Sequence, residues 1–268
     1  MTAKTQKEKP GAERGRAEDR KPGELRPVKI TLDTLDFADG SATIEMGRTR
    51  VIAAATIEER VPPFLKGTGT GWVTAEYAML PRATEERTPR ERGFRVSGRT
   101  QEIQRLVGRA LRAVTDLSAL GERTIIIDCD VVQADGGTRV AAVTAGCVAL
   151  GLALKKMLDI RMIDHFPLKH LVAAVSVGIV GSRTLLDLDY GEDSTADLDM
   201  NVVETDHGEF VEIQAGAEKN PFSRSALLDL LDLADKGIAH LIQAQKQALK
   251  KKSILFMAYG HKDKAGGE

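Results

Sequence analysis

The sequence predicts an α+β protein in which mixed sheets pack against helices, and three stretches of its 268 residues carry that reading. Short runs rich in β-branched residues, Val28 to Leu32, Ser41 to Met46 and Val51 to Ile57, are separated by the turn-forming pairs Asp39-Gly40 and Gly47-Arg48. A strand, two glycines and a long apolar helix follow one another from Thr124 to Met157. A second long helix opens at Ser223, a good N-cap, and presents Leu227, Leu230, Leu231, Ala234, Ile238, Leu241, Ile242 and Leu249 as one apolar face.

The chain is long enough for one large domain with an ample core. Its 38 basic and 39 acidic side chains leave a formal net charge of −1, so no overall field drives it onto nucleic acid or membrane. Any polyanion site must arise from local clustering. The two cysteines, Cys129 and Cys147, sit inside the apolar strand and helix and read as core thiols. No N-terminal apolar stretch resembles a signal peptide, and no run approaches about 18 apolar residues free of charge. A cytoplasmic protein with no membrane partner is expected.

Residues 1–22 are charged and punctuated by Pro and Gly, a composition that cannot offset ordering entropy, so a disordered tail is expected there. One domain is expected over 23–250, with a second tail over 251–268. Within the domain, Pro62-Pro63 and the loop Lys66 to Gly71 precede Trp72 to Leu80, which alternates as a strand and stops at Pro81. Nine arginines then crowd between Arg82 and Arg112. Those in the Pro/Gly-broken loop, Arg82, Arg87, Arg90 and Arg92 among them, suit contact with a phosphate backbone. From Thr100 the pattern turns helical, with Arg105, Arg109 and Arg112 flanking an apolar stripe; for these three a solvated helix face is the favoured reading over phosphate contact.

The most informative stretch is Gln133-Ala-Asp-Gly-Gly-Thr-Arg139. Gly136 and Gly137 allow a tight turn, the unpaired N–H groups of a helix start point outward, Thr138 adds a hydroxyl, and Arg139 adds a planar fork for two anion oxygens. The alternative is a plain strand–turn–helix connection with Arg139 paired to a carboxylate such as Asp135. Downstream, Leu171 to Val180 reads as a buried strand and a hairpin follows at Asn201 to Gln214. Between them, six acids fall in thirteen residues from Asp187 to Asp199. Such crowding is either a hard-cation site or a solvated loop.

Four of these segments together resemble the bacterial RNase PH family: Pro63-Phe-Leu-Lys-Gly with Gly71-Trp-Val-Thr-Ala-Glu-Tyr, Ser97-Gly-Arg-Thr-Gln-Glu-Ile-Gln-Arg-Leu, the Gly-Gly-Thr-Arg heptad, and Glu192-Asp-Ser with Asp199-Met-Asn-Val-Val. The resemblance runs from about Leu25 to Leu249. It implies a fold with βαβ-type lobes and a phosphorolytic 3′→5′ exoribonuclease that trims transfer-RNA precursors with a single-stranded 3′ end. It further implies a homohexamer built as a trimer of dimers, Mg²⁺ as cofactor and inorganic phosphate as co-substrate. On that reading Gly137, Thr138 and Arg139 hold phosphate and Arg99 holds RNA. Asp193 and Asp199 are then the catalytic and metal-binding acids. The chain departs from the family at Ser97, where a glycine is usual. A catalytically silent ring subunit and a metal-dependent hydrolase are the rivals; the first tends to lose the arginine or the acids, and the second leaves Thr138-Arg139 without a task.

Overall fold

A computed structural model describes residues 16, 19–91, 96–217 and 220–254. Its centre is helix α2 (Thr138–Asp159), in which every residue from Val140 to Leu154 is buried. A helix apolar on all sides must be enclosed. An 18-residue window of α2 has mean hydropathy 1.6, enough by length and composition to cross a membrane, yet 89% of that window is buried inside the fold. It is the core helix.

The first sheet runs in the order β1-β2-β3-β5-β4. Strands β1 (Val28–Leu32), β2 (Gly40–Met46), β3 (Thr49–Glu58) and β5 (Thr124–Gln133) pair antiparallel. Strand β4 (Trp72–Met79) lies parallel to β5. A parallel pair needs a crossover, and helix α1 (Gly98–Ala113) supplies it, burying Ile103, Leu106, Val107, Ala110 and Leu111. The second sheet, β7-β6-β8-β9, is antiparallel throughout. It comprises β6 (Val172–Val180), β7 (Arg183–Leu186), β8 (Leu198–Thr205) and β9 (Phe210–Ala217). Between β7 and β8 lies the one-turn helix α3 (Tyr190–Asp193). Helix α2 packs on β2, β3 and β5 of the first sheet and on β6 of the second, and α4 (Arg224–Lys250) covers β6, β7 and β8. The βαβ unit expected of both lobes is thus found in the first, as β4–α1–β5.

Small residues set how closely α2 approaches the first sheet. A Cβ on Gly40 would lie 2.4 Å from the carbonyl oxygen of Ala149 and 2.6 Å from the nitrogen of Ala153. Backbone against backbone leaves no side chain to yield, so glycine is required there. Both cysteines are buried, and burial pushes the Cys147 thiol up to about 12, as expected of inert core thiols.

Described residues within both expected tails pack against the fold. Arg16 and Arg20 are only 6% and 7% exposed, and Ile254 is fully buried in the core. The arginines are held by carboxylates some 170 positions away, partners that local composition cannot reveal. The arginine flank of α1 is also more than a solvated face. Arg112 donates to the carbonyl of Val73 at 2.8 Å and stacks 4.4 Å from the Trp72 ring centroid, and Arg109 pairs with Glu212; Arg105 is exposed. Ser97, the departure from the family pattern, caps α1 by accepting from the N–H of Thr100 at 3.2 Å.

At the far end of β8, Glu204 is buried beside the exposed Asp235 of α4. Burial, followed by the Asp235 charge, holds the Glu204 carboxyl up at about 7. A carboxyl raised on folding binds its proton more tightly in the folded chain. Its stabilising effect is therefore complete below the unfolded value and is lost as pH rises through the folded one. The chain should melt at lower temperature at pH 8 than at pH 6, and Glu204→Gln should flatten that slope. Melting curves of the variant that keep the wild-type pH dependence would contradict this assignment.

Candidate active site

Two segments distant in sequence meet above the start of α2: the Asp135-Gly136-Gly137 turn and the stretch from Asp187 to Asp199. Their junction is tight. Gly136 has φ +74°, and a Cβ there would lie 2.5 Å from the carbonyl oxygen of Leu188. Arg26 ties the two sides together. Its Nε and Nη2 donate to the two carboxylate oxygens of Asp187 at 2.9 and 2.6 Å. Its Nη1 donates to the carbonyl of Asp135. Thr49 completes the clamp, donating to the carbonyl of Gly136 at 2.7 Å and accepting from the N–H of Asp135 at 2.9 Å.

The six acids now separate by task. Asp187, fully buried with a left-handed backbone at φ 55°, belongs to Arg26. Glu192 receives Nε and Nη2 of Arg16 at 2.7 and 3.0 Å. Asp189 and Glu192 form a capping box at the start of α3, with Arg20 Nη2 3.6 Å from each carboxylate. Asp197 accepts from the N–H of Gly181 at 2.9 Å. Asp193 and Asp199 face a shared cavity of about 430 Å³.

Gly137, Thr138 and Arg139 line the same cavity as the two acids, and so does Arg99. Helices α1, α3 and α4 are each capped by a side chain, from Ser97, Asp189 and Ser223. Helix α2 is not: Gly137 occupies its N-cap in the left-handed region, and its first turn holds no acid. The helix start is therefore open toward the cavity, with its positive end free for an anion. Thr138 is oriented by the phenol of Tyr77, which donates to its Oγ1 at 2.8 Å. Burial pushes the Tyr77 phenol up, so it remains a donor. Arg139 uses Nη1 for Glu102 and Gln214, both at 3.2 Å, so that its fork is fixed from one side.

Asp199 lies on β8 between Gly178 of β6 and Gly216 of β9. Glycine at 216 leaves the space beside the Asp199 carboxylate open; a Cβ there would lie 3.6 Å from Asp199 Oδ1. Burial first, and the Asp199 charge second, push the Asp193 carboxyl up, while Arg99 and Arg139 pull it down. Two carboxylates beside the Asn201 and Ser176 side chains make an all-oxygen donor set, which suits a hard divalent cation.

Among the loop arginines, Arg90 lines a second cavity of about 240 Å³ that shares Arg99 with the first. Arg82 and Arg87 are exposed on the same loop but line neither cavity, and Arg82 donates to the carbonyl of Glu85 at 2.7 Å. Arg92 lies outside the described residues. Sequence reasoning missed Tyr77, Glu102, Gln214, Ser176 and Asn201. Tyr77 left a trace, since in the β4 alternation it falls on the buried face with Val73 and Ala75, where a phenol needs a partner. Glu102 and Gln214 left none.

Because Gly136 lets the two segments touch, Gly136→Ala should part them. With the fold retained by circular dichroism, inorganic phosphate should bind at least about tenfold more weakly, in line with the cost of an ångström-scale misplacement. Wild-type phosphate affinity in a folded Gly136→Ala chain would show that the contact does not shape the pocket.

The geometry agrees with what the chain resembles. Family models described as "3′ exoribonuclease family, domain 1" and "domain 2" match residues 24–155 and 170–237. The chain is 57% identical over 236 residues to Ribonuclease PH of Bacillus cereus strain G9842, covering 87% of this chain and 96% of the relative. It is 55% identical over 237 residues to Ribonuclease PH of Solibacter usitatus, covering 88% and 99%. The crystal structure of rice (Oryza sativa) Rrp46 superposes with a TM-score of 0.70 at 21% identity, covering 87% of this chain and all of that one, a likeness of fold. The chain belongs to the RNase PH family of 3′ exoribonucleases.

Proposed function

We propose that the 430 Å³ cavity holds inorganic phosphate against the last phosphodiester of an RNA strand. The chain is a phosphorolytic 3′→5′ exoribonuclease of the family that trims transfer-RNA precursors. One observation supports the placement: an uncapped helix start bearing Thr138 and Arg139 shares a single pocket with Asp193, Asp199 and Arg99.

Phosphate is itself the nucleophile in this chemistry, so no side chain need be activated. The protein's task is to hold two anions in line against their repulsion. The N–H groups of α2, the Thr138 hydroxyl and the free side of the Arg139 fork bind the phosphate. Arg99 binds the phosphodiester. A phosphate oxygen forms the new bond to phosphorus as the bond to the ribose O3′ of the preceding nucleotide breaks, and that oxygen takes a proton, for which the Asp193–Asp199 pair on the cavity is the candidate acid. A nucleoside 5′-diphosphate leaves, and the RNA is one nucleotide shorter. Asp193 and Asp199, with Asn201 beside them, would hold Mg²⁺, which neutralises charge developing on the phosphoryl oxygens when bound. The reaction exchanges a phosphate ester linkage for a diphosphate linkage and lies near balance, so the same site extends RNA when nucleoside diphosphate is in excess.

The working assembly on this reading is a cytoplasmic homohexamer, a trimer of dimers, whose Arg82–Arg99 loops collect around a common opening. The exposed Phe37, Phe64 and Leu35 are apolar surface that such contacts would cover.

The test is a labelled RNA incubated with Mg²⁺, with and without phosphate, and again with diphosphates in place of phosphate. Shortening should require phosphate and release diphosphates, and diphosphates should lengthen the strand. Arg139→Ala should cost about 10²–10³ in rate, the effect of losing one preorganised donor. Arg139→Lys should recover little, because a point charge does not reproduce the fork. Undiminished shortening in phosphate-free buffer, with monophosphates released, would overturn the reading.

A further inference from the structure

Among the described residues, no histidine lines the catalytic cavity. Two histidines nevertheless converge on a carboxylate at the end of the second sheet remote from the active site. We propose that His170, Asp206 and His207 form a binding site for one divalent transition metal of the zinc class, distinct from the catalytic pocket.

The three side chains each offer one ligand atom, and these atoms lie within 4.8 Å of one another. His170 Nδ1 is 3.5 Å from Asp206 Oδ1. Donors around a tetrahedral zinc, with bonds of about 2.0–2.2 Å, stand roughly 3.3–3.6 Å apart, so this pair already has the edge length of such a polyhedron. His170 Nδ1 is buried yet makes no hydrogen bond among the described residues. A buried imidazole nitrogen facing a carboxylate without a hydrogen bond is unusual unless something else fills the gap. The His207 ring approaches that of His170 edge-on, with centroids 4.6 Å apart. Closing the third edge needs only a side-chain rotation of a residue exposed on a turn.

The backbone beneath is set by the sheet. Val172 pairs with Thr205 at the end of the β6–β8 ladder, and the N–H of Asp206 continues it by donating to the carbonyl of Leu171 at 3.0 Å. His170 and Asp206 are thus fixed in register. The turn that carries His207 is closed by the N–H of Gly208 donating to the carbonyl of Thr205 at 3.1 Å, with Gly208 at φ +76°. Lys246 lies 3.7 Å from the other carboxylate oxygen, Asp206 Oδ2, and would remain as an outer partner of the ligating carboxylate. Two imidazoles and a carboxylate select zinc, cobalt or nickel over magnesium, which prefers oxygen and keeps its waters. Three protein donors leave a fourth position for water. Thr205 lies about 20 Å from Asp199 along β8, at roughly 3.3 Å per residue, so the two sites do not share a metal.

The test uses the full chain, stripped with a chelator and dialysed against Zn²⁺ in a buffer that also holds millimolar Mg²⁺, with bound zinc measured by atomic absorption. One zinc per chain is expected, and Co²⁺ in its place should give the visible bands of a four-coordinate nitrogen–oxygen site. His170→Asn and His207→Asn should each weaken zinc binding at least about tenfold, the loss of one of three ligands exceeding that of an outer partner. Asp199→Asn should leave it unchanged. Because His207 is exposed, its variant keeps the fold, and zinc should raise the melting temperature of the wild type but not of that variant. Absence of zinc in the wild type, retention in the His207→Asn chain, or loss in the Asp199→Asn chain would each overturn the proposal.

Discussion

The guanidinium of Arg26 is the contact on which the geometry of the candidate site depends. It neutralises a carboxylate, Asp187, that has no exposure to solvent, and it also ties that carboxylate to the carbonyl of Asp135 in the turn before α2. A buried charge without its partner is costly, about 3–5 kcal/mol when one member of such a pair is removed. That cost makes the junction a defined one. The Gly136-Gly137 turn follows a strand of the first sheet and the acids belong to the second, and the Arg26 contact holds them in one register. Arg16 and Arg20 extend the same arrangement to Asp189 and Glu192, so that α3, with Asp193 at its end, is held from below.

Helix α2 serves packing and chemistry through the same feature. Being apolar all round, it settles between the sheets. Its alanines and glycines let the strands approach its backbone, as at Gly40. A helix so enclosed has only its ends for polar work. The C-terminal end, with Lys155, Lys156 and Asp159, is ordinary surface, where Lys155 pairs with Asp159. The N-terminal end opens into the cavity, uncapped, where a bound anion would complete it.

Part of this was legible in the sequence because it is local. Gly136-Gly137 followed by Thr138-Arg139 is a turn and a helix start in adjacent residues, and its chemistry can be read without knowing the fold. The acidic stretch is different. Asp187, Asp189, Glu192, Asp193, Asp197 and Asp199 are alike in type, and cation site and solvated loop both stayed open, the solvated loop favoured, until the resemblance singled out Asp193 and Asp199. The structure adds the physical reason, since the other four are engaged by arginines or backbone N–H groups. Those partners, Arg16, Arg20 and Arg26, lie in or beside a segment whose composition reads as disordered. Only the tertiary fold supplies the pairs that hold these three arginines. Glu102 and Gln214, which orient Arg139, were unreadable for the same reason, being 37 and 75 positions from it.

The most direct test of the Arg26 junction is a double-mutant cycle on inorganic phosphate affinity, measured by calorimetry on Arg26→Met, Asp187→Asn and the double variant. Asn is chosen because it tolerates the left-handed backbone at position 187. If one buried pair holds the two halves of the site together, each single change should weaken phosphate binding at least about tenfold, and the double variant should be no weaker than the worse single one. Folded single variants that keep wild-type phosphate affinity, or losses that multiply in the double variant, would show that the two halves are aligned by something else.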